Sequence, residues 1–288
     1  MPESQSLGKI ASELVINGSI ELSIESLEVI PLAKRLLPFG MAIYLPKMLR
    51  RPLEDNLPMI NALHVAGFDP VPHIAARQVA SASALRSYLD KVVNESGVHR
   101  VMVIGGDNPQ VAGPFADSAA LIGSGILAQA GIHEIDVAGY PEGHPRIPLE
   151  VLNSDLDTKL NMAADQGLGI NIITQFSFAP SRIVEYCDEL AHHAPHVPVY
   201  VGLAGPTDAV SLLRFARHCG VSESLRALSS LGVKAAVLAC HTSPDEQVEV
   251  LARYCAGHEA SNVIGLHVFS FGGFARSAEW VDEKYHHA

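Results

Sequence analysis

Short apolar runs of five to nine residues, bounded by Gly, Pro, Asn or Asp, alternate along this chain with longer segments whose apolar positions recur every three or four residues. The runs read as strands at 19–24 (SIELSI), 41–45 (MAIYL), 69–74 (DPVPHI), 100–105 (RVMVIG), 134–139 (EIDVAG), 170–176 (INIITQF), 197–203 (VPVYVGL) and 263–271 (VIGLHVFSF). The segments between them read as helices. In LEDNLPMINALHVAG, Leu53, Leu57, Ile60 and Leu63 fall at helical spacing and Gly67 stops the pattern. SASALRSYLDKVVNESG opens on a serine cap and closes on Gly97. The stretch between the seventh and eighth strands holds about three further helical segments.

Eight strands, nearly all followed by a helix, imply parallel pairing with crossover helices. In 288 residues this is the stoichiometry of a single-domain (β/α)8 TIM barrel of α/β class, spanning 1–288. A doubly wound sheet is the rival. It wants a GxGxxG turn after the first strand, and SIELSIESLE has no glycine. No composition shift or internal repeat divides the chain.

Composition narrows the function. A net charge of −11 disfavours nucleic acid and anionic membrane surfaces, leaving room for a local anion site. Runs such as VKAAVLAC are too short to span a bilayer. The opening MPESQSLGKIASELV lacks the basic and apolar regions of a signal peptide, so a cytoplasmic protein is expected. Cys187, Cys219, Cys240 and Cys255 form no CxxC pair and sit beside apolar segments, as buried reduced thiols do. Homo-oligomer formation is left open.

A barrel puts its chemistry at the C-terminal ends of its strands. In order, those ends carry Glu21; Leu45; His73; Asp107; Tyr140, Glu142 and His144; Gln175; Gly202, Gly205 and Pro206; and Phe271, Gly272 and Gly273. In VIGGDNP, Gly105 and Gly106 let a flat ring approach, and Asp107 follows; the bland alternative is an aspartate capping the next helix. Glu21 in an inner barrel layer would have a raised pKa, which suits a general acid, whereas an outward register would make it ordinary. Glu25, in a second SIE triplet, is its competitor. His73 is either a ligand contact or a satisfied strand-end histidine. HHAPH at 192–196 reads as a solvated loop on the opposite rim, not a metal site, and a Cys240–His241 nucleophile lacks support beyond adjacency.

Three strings, VMVIGGDNP, VAGYPEGHP and IITQFSF, occur in this order and at spacing that resembles the methylenetetrahydrofolate reductases. That resemblance runs from SIEL to LHVFSF and implies a barrel flavoprotein that interconverts methylene- and methyl-tetrahydrofolate. It implies Glu21 as the acid that opens the folate imidazolidine ring to an iminium, and Asp107 beside flavin and pterin. His73, Gly106, Asp107, Tyr140, Glu142, His144 and Lys159 would contact the cofactor. Gln175 would bond the pterin and Phe215 would stack on folate or nicotinamide. FAD is the implied cofactor and NAD(P)H the co-substrate, with tetrahydrofolate derivatives as partners and no metal.

The chain also departs from that family. The basic cluster expected before ITQ is reduced to Lys159 in TKLNMAADQGLG, so Arg77, Arg146 or helix N-termini would have to help hold a pyrophosphate. The second strand ends IYLPK rather than VTYGA, and no FFPP follows the acid. A flavin-free folate reductase and a folate-binding barrel of a methyl-transfer system without redox chemistry are the alternatives, and a barrel acting on another pterin or a sugar phosphate is a third.

Overall fold

The computed structural model describes residues 2–23, 26–46, 51–207, 215, 221, 243–271 and 273–286. Eight parallel strands close into a barrel in sequence order: β1 Ser19–Glu21, β2 Ala42–Leu45, β3 Asp69–Ala75, β4 Arg100–Ile104, β5 Glu134–Gly139, β6 Gly169–Thr174, β7 Val199–Ala204 and β8 Val263–Phe269. β8 pairs with β1, with Ser19 opposite His267, which completes the ring. The expected strands are all present. The first, fourth, sixth and eighth end earlier than the runs do, at Glu21, Ile104, Thr174 and Phe269. The apolar residues beyond, including Phe176, Phe178 and Phe271, pack on one another above the mouth rather than extend the sheet.

Helices surround the barrel: α1 Pro2–Ile16, α2 Ile30–Leu36, α3 Leu57–Val65, α4 Ala82–Ser96, α5 Ser118–Gly123, α6 Ile126–Gln129, α7 Leu149–Asp165, α8 Pro180–His193, α9 Asp245–Gly257 and α10 Phe274–His286. Their ends follow local chemistry. Ser81 caps α4 by accepting the Ala84 amide at 3.1 Å, and Gly97 ends it in the left-handed conformation at φ 60°. Pro58 sits in the first turn of α3, so the preceding Leu53–Asn56 forms a 3-10 turn instead of extending that helix. Helix α1, which strand and helix patterning left unassigned, packs on β8, α9 and α10. The single tryptophan, Trp280, is buried on α10 and donates its indole N–H to Asp245 of α9 at 2.9 Å.

Strand side chains alternate between two environments. Outward positions such as Ile43, Ile74, Val101, Val103, Ile135, Val137, Val201 and Val268 pack under the helices with Leu63, Leu85, Leu89, Leu121 and Ile183. Inward positions are more polar. The register stacks them in rings of four from alternate strands. Ser19, Val71, Asp136 and Tyr200 form one ring, Tyr44, Met102, Ile173 and His267 the next, and Glu21, His73, Ala138 and Gly202 the ring above. Side-chain contacts agree: Tyr44 lies edge-on to His267 at 4.6 Å and to His73 at 5.9 Å, and Ser19 Oγ is 2.8 Å from His267 Nδ1.

Below the mouth, Asp136 is buried and accepts hydrogen bonds from Tyr44 Oη at 2.7 Å and Asn171 Nδ2 at 2.8 Å. Arg100 pairs with Asp69 at 2.6 Å and approaches Glu134 at 3.9 Å. Burial pushes the Asp136 carboxyl up to about 6 despite these partners. Tyr44→Phe leaves Asp136 Oδ2 without its donor. The expected cost is about 1–3 kcal/mol in urea unfolding, growing above pH 6 where the carboxylate is charged. A pH-independent loss, or none, would show that another donor takes over.

Candidate active site

Glu21 ends β1 on the same face as Ser19, inside the barrel and at its mouth. The strand register puts it in a ring with His73, Ala138 and Gly202. Burial pushes the Glu21 pKa up to about 7, opposed only in part by the Ser23 hydroxyl, which donates to Oε1 at 3.2 Å. The inward register needed for a general acid is therefore met. Glu25 lies outside the described residues.

His73 lies within β3 rather than at its end, shares the ring with Glu21, and is buried. Its Nε2 has no hydrogen-bond partner among the described residues, and burial lowers its pKa to about 4, so the imidazole is neutral. His267 beneath it is also held neutral by burial, at about 3.

The loop after β4 places Gly106 at φ 89°, where a Cβ would stand 3.1 Å from the Ala75 methyl. Asp107 is exposed and faces Arg146 of the β5–α7 loop at 3.5 Å. It is not the cap of the next helix; Asp117 fills that role by accepting from the Ala120 amide at 2.8 Å.

The loop Tyr140–Arg146 is a folded wall. The Gly143 amide bonds the Tyr140 carbonyl at 2.9 Å, with Gly143 at φ 73° closing the turn. Tyr140 and His144 rings meet edge-to-face at 5.4 Å, and His144 Nδ1 accepts the Arg146 amide at 3.2 Å. The Tyr140 hydroxyl is held above its ordinary pKa by burial and by the nearby Asp155 and Asp107 carboxylates. Glu142 accepts a hydrogen bond from Ser177 of the β6 loop. Outside this wall a cleft of about 510 Å³ separates it from α8, lined by Glu142, Arg182, Glu185 and Tyr186 among others.

Lys159 lies in α7 and is buried in an ion pair with Asp155 one turn earlier. Arg77, the expected helper for a phosphate, instead spends its guanidinium on loop carbonyls. Arg146 is the more exposed cation, and its ion pair is the longer one.

Beside this wall, Gln175 follows β6, its amide donating to the Gly139 carbonyl at 2.8 Å and its Oε1 accepting the Phe176 amide at 3.1 Å. Phe215 stacks on Phe271 with centroids 4.5 Å apart, and Phe271 stacks in turn on Phe269 at 5.8 Å. Phe271 adopts φ 46°, which a bulky residue rarely does outside functional sites.

The structure thus brings Asp107, Tyr140, His144 and Arg146 together on one wall, Glu21 and His73 together in one ring, and Gln175 and Phe215 on the aromatic side. Sequence reading placed Phe271 at the mouth but missed the shelf it forms with Phe176 and Phe269, and the partners Ser19 and His267. The period-two spacing of HVFSF, with His267, Phe269 and Phe271 on one strand face, was the available signal. His193 pairs with Asp157 at 2.6 Å on the surface, and among the described residues no group of three potential ligands could hold a metal. Burial pushes the Cys187 thiol up to about 12, while Cys219, Cys240 and His241 lie outside the described residues. Among those residues, no helix is long and apolar enough to cross a membrane.

Known proteins resemble this chain. A 5,10-methylenetetrahydrofolate reductase from Pectobacterium carotovorum subsp. carotovorum is 29% identical over 157 residues, 54% of this chain and 50% of that protein. Methylenetetrahydrofolate reductase 2 of Saccharomyces cerevisiae is 32% identical over 135 residues, 44% of this chain and 22% of its own length. The chain therefore spans half or less of these curated relatives. A solved structure of an uncharacterised Clostridium thermocellum protein, described as binding two copies of 5-methyl-5,6,7,8-tetrahydrofolic acid, superposes with a TM-score of 0.61 at 12% identity, covering 93% of this chain and 95% of that one; it shares the fold. The profile of the methylenetetrahydrofolate reductase family matches residues 58–269, from the helix before β3 through the last residue of β8, and so takes in the Asp107 loop, the Tyr140–Arg146 wall and the Gln175 edge. With most of the barrel matched, the chain belongs to the methylenetetrahydrofolate reductase family.

Proposed function

We propose that the protein interconverts 5,10-methylenetetrahydrofolate and 5-methyltetrahydrofolate, with NAD(P)H as the hydride partner. The observation that carries this reading is Glu21, an inward-facing acid at the barrel mouth whose pKa burial raises to about 7. In the reductive direction Glu21 gives its proton to the ring nitrogen that leaves the methylene carbon. The resulting iminium carbon accepts a hydride equivalent, and the nicotinamide is oxidised. Asp107 would lie near the ring face and favour the cationic iminium. Gln175 would orient the pterin, and Phe215 would extend the aromatic stack onto the folate or nicotinamide ring.

FAD is the carrier expected from the family. The ring end of such a cofactor fits the residues present: His73 offers an unpartnered Nε2, and beside Gly106 the space where a Gly105 side chain would stand is open. Asp107, Tyr140, Glu142 and His144 would complete that wall. The phosphate end is thinner, because Lys159 and Arg77 are already engaged and Arg146 is the cation best placed among the described residues. FAD, when bound, would relay the hydride between nicotinamide and folate.

The test is anaerobic turnover. Protein, NAD(P)H and methylenetetrahydrofolate, with and without added FAD, should yield methyltetrahydrofolate by chromatography. Tight methyltetrahydrofolate binding without turnover in either direction would instead favour the folate-binding barrel of a methyl-transfer system.

A further inference from the structure

We propose that Arg77 is a positioning residue that sets Asp107 in place. The segment between β4 and α5, residues 105–117, forms neither helix nor strand, yet it carries Gly106 and Asp107. Such a segment must satisfy its carbonyls elsewhere. Arg77, just beyond β3, supplies the partners: Nε donates to the Asn108 carbonyl at 2.7 Å, Nη2 to Pro109 at 2.8 Å and Nη1 to Ala116 at 3.1 Å. Its backbone adds two bonds, its amide to the Gly105 carbonyl at 3.0 Å and its carbonyl from the Ala112 amide at 2.9 Å.

One residue therefore ties the loop at Gly105, Asn108, Pro109, Ala112 and Ala116, on both sides of Asp107. The fit is close, because a Cβ on Gly113 would lie 2.4 Å from the Val79 and Ala80 carbonyls. Through the Asp107–Arg146 pair, the same anchorage extends to the wall after β5. A planar fork meets these three carbonyls from three separate nitrogens in fixed directions; an ammonium has one nitrogen and no fixed fork. Arg77 thus stands in for secondary structure under a residue that the reaction needs held to within about an ångström.

The kinetic arm of the test rests on the proposed function; the exchange arm does not. Arg77→Lys keeps the charge and loses the fork. It should lower kcat about a hundredfold with little change in folate KM, leave the melting temperature nearly unchanged, and speed amide hydrogen exchange within 105–117 alone. In an Asp107→Asn background the same change should cost little more, since the two act as a unit. Additive losses, or exchange that rises across the whole barrel in step with a lower melting temperature, would overturn the proposal. If the parent protein turns over no folate, the functional reading fails, and unchanged exchange in 105–117 of Arg77→Lys then overturns this inference separately.

Discussion

Replacing Glu21 with Gln is expected to abolish folate turnover, by about 10²–10⁴-fold or more, while making the protein more stable at alkaline pH. The two effects have one cause. Burial holds the Glu21 pKa up to about 7, against an ordinary 4.5, so the fold favours the neutral acid. A group raised in this way contributes its full stability below the unfolded value. That contribution is lost as pH rises from about 4.5 through about 7. Glutamine mimics the protonated acid in shape and in its Oε1 acceptor for Ser23, but it never ionises and delivers no proton. Urea unfolding at pH 5 should therefore barely separate variant from parent. At pH 8 the variant should gain up to about 3 kcal/mol, less whatever solvent reaching this half-buried carboxyl removes. Parent turnover toward the methyl product should decline above pH 7 as the acid ionises. Equal stability at both pH values, or surviving turnover, would show that Glu21 is neither the strained group nor the acid.

Gly202→Ala should be the most damaging single methyl in the barrel. A Cβ there would sit 2.0 Å from the Thr174 carbonyl oxygen and 2.7 Å from Phe269 Cε2. The first obstacle is β6 backbone, which cannot swing aside, and Thr174 Oγ1 already holds the Gly202 amide at 2.8 Å. The loss should reach or exceed the upper end of the usual overpacking range, about 3 kcal/mol. Soluble yield should collapse, and any folded remainder should bind folate poorly, because the added methyl enters the ring that Glu21 occupies. Gly143→Ala is the control. Nothing lies within 4 Å of its Cβ, so only the φ 73° penalty of about 1–2 kcal/mol applies. Equal melting temperatures for the two variants would refute the steric account.

How much of this was legible beforehand follows from the physics of each residue. Alternating runs such as EIDVAG reported β5 and its two faces, because Ile135 and Val137 must meet helices while Glu134 and Asp136 must not. The serine before α4 and the glycine after it marked that helix, since capping is local chemistry. Glu21 and Asp107 could be named as candidates because strand ends are where a barrel gathers function. Partnership could not be read. That Lys159 spends its charge on Asp155, that Arg77 spends its own on carbonyls, and that Asp117 rather than Asp107 caps α5 depend on three-dimensional neighbours. The aromatic shelf went unseen for the related reason that Phe215, Phe269 and Phe271 meet only after the barrel closes.

The lone tryptophan gives the barrel a built-in optical probe with an unusual viewpoint. Trp280 sits under the helical coat, tied to Asp245 and with the Lys284 ammonium 5.9 Å from its ring, and it is absent from the mouth. Its emission therefore reports whether the last two helices of the coat remain docked. A ligand that quenches it does so by moving those helices or by energy transfer over distance, and denaturation followed at this wavelength times the release of the seam where the ring of strands is sealed.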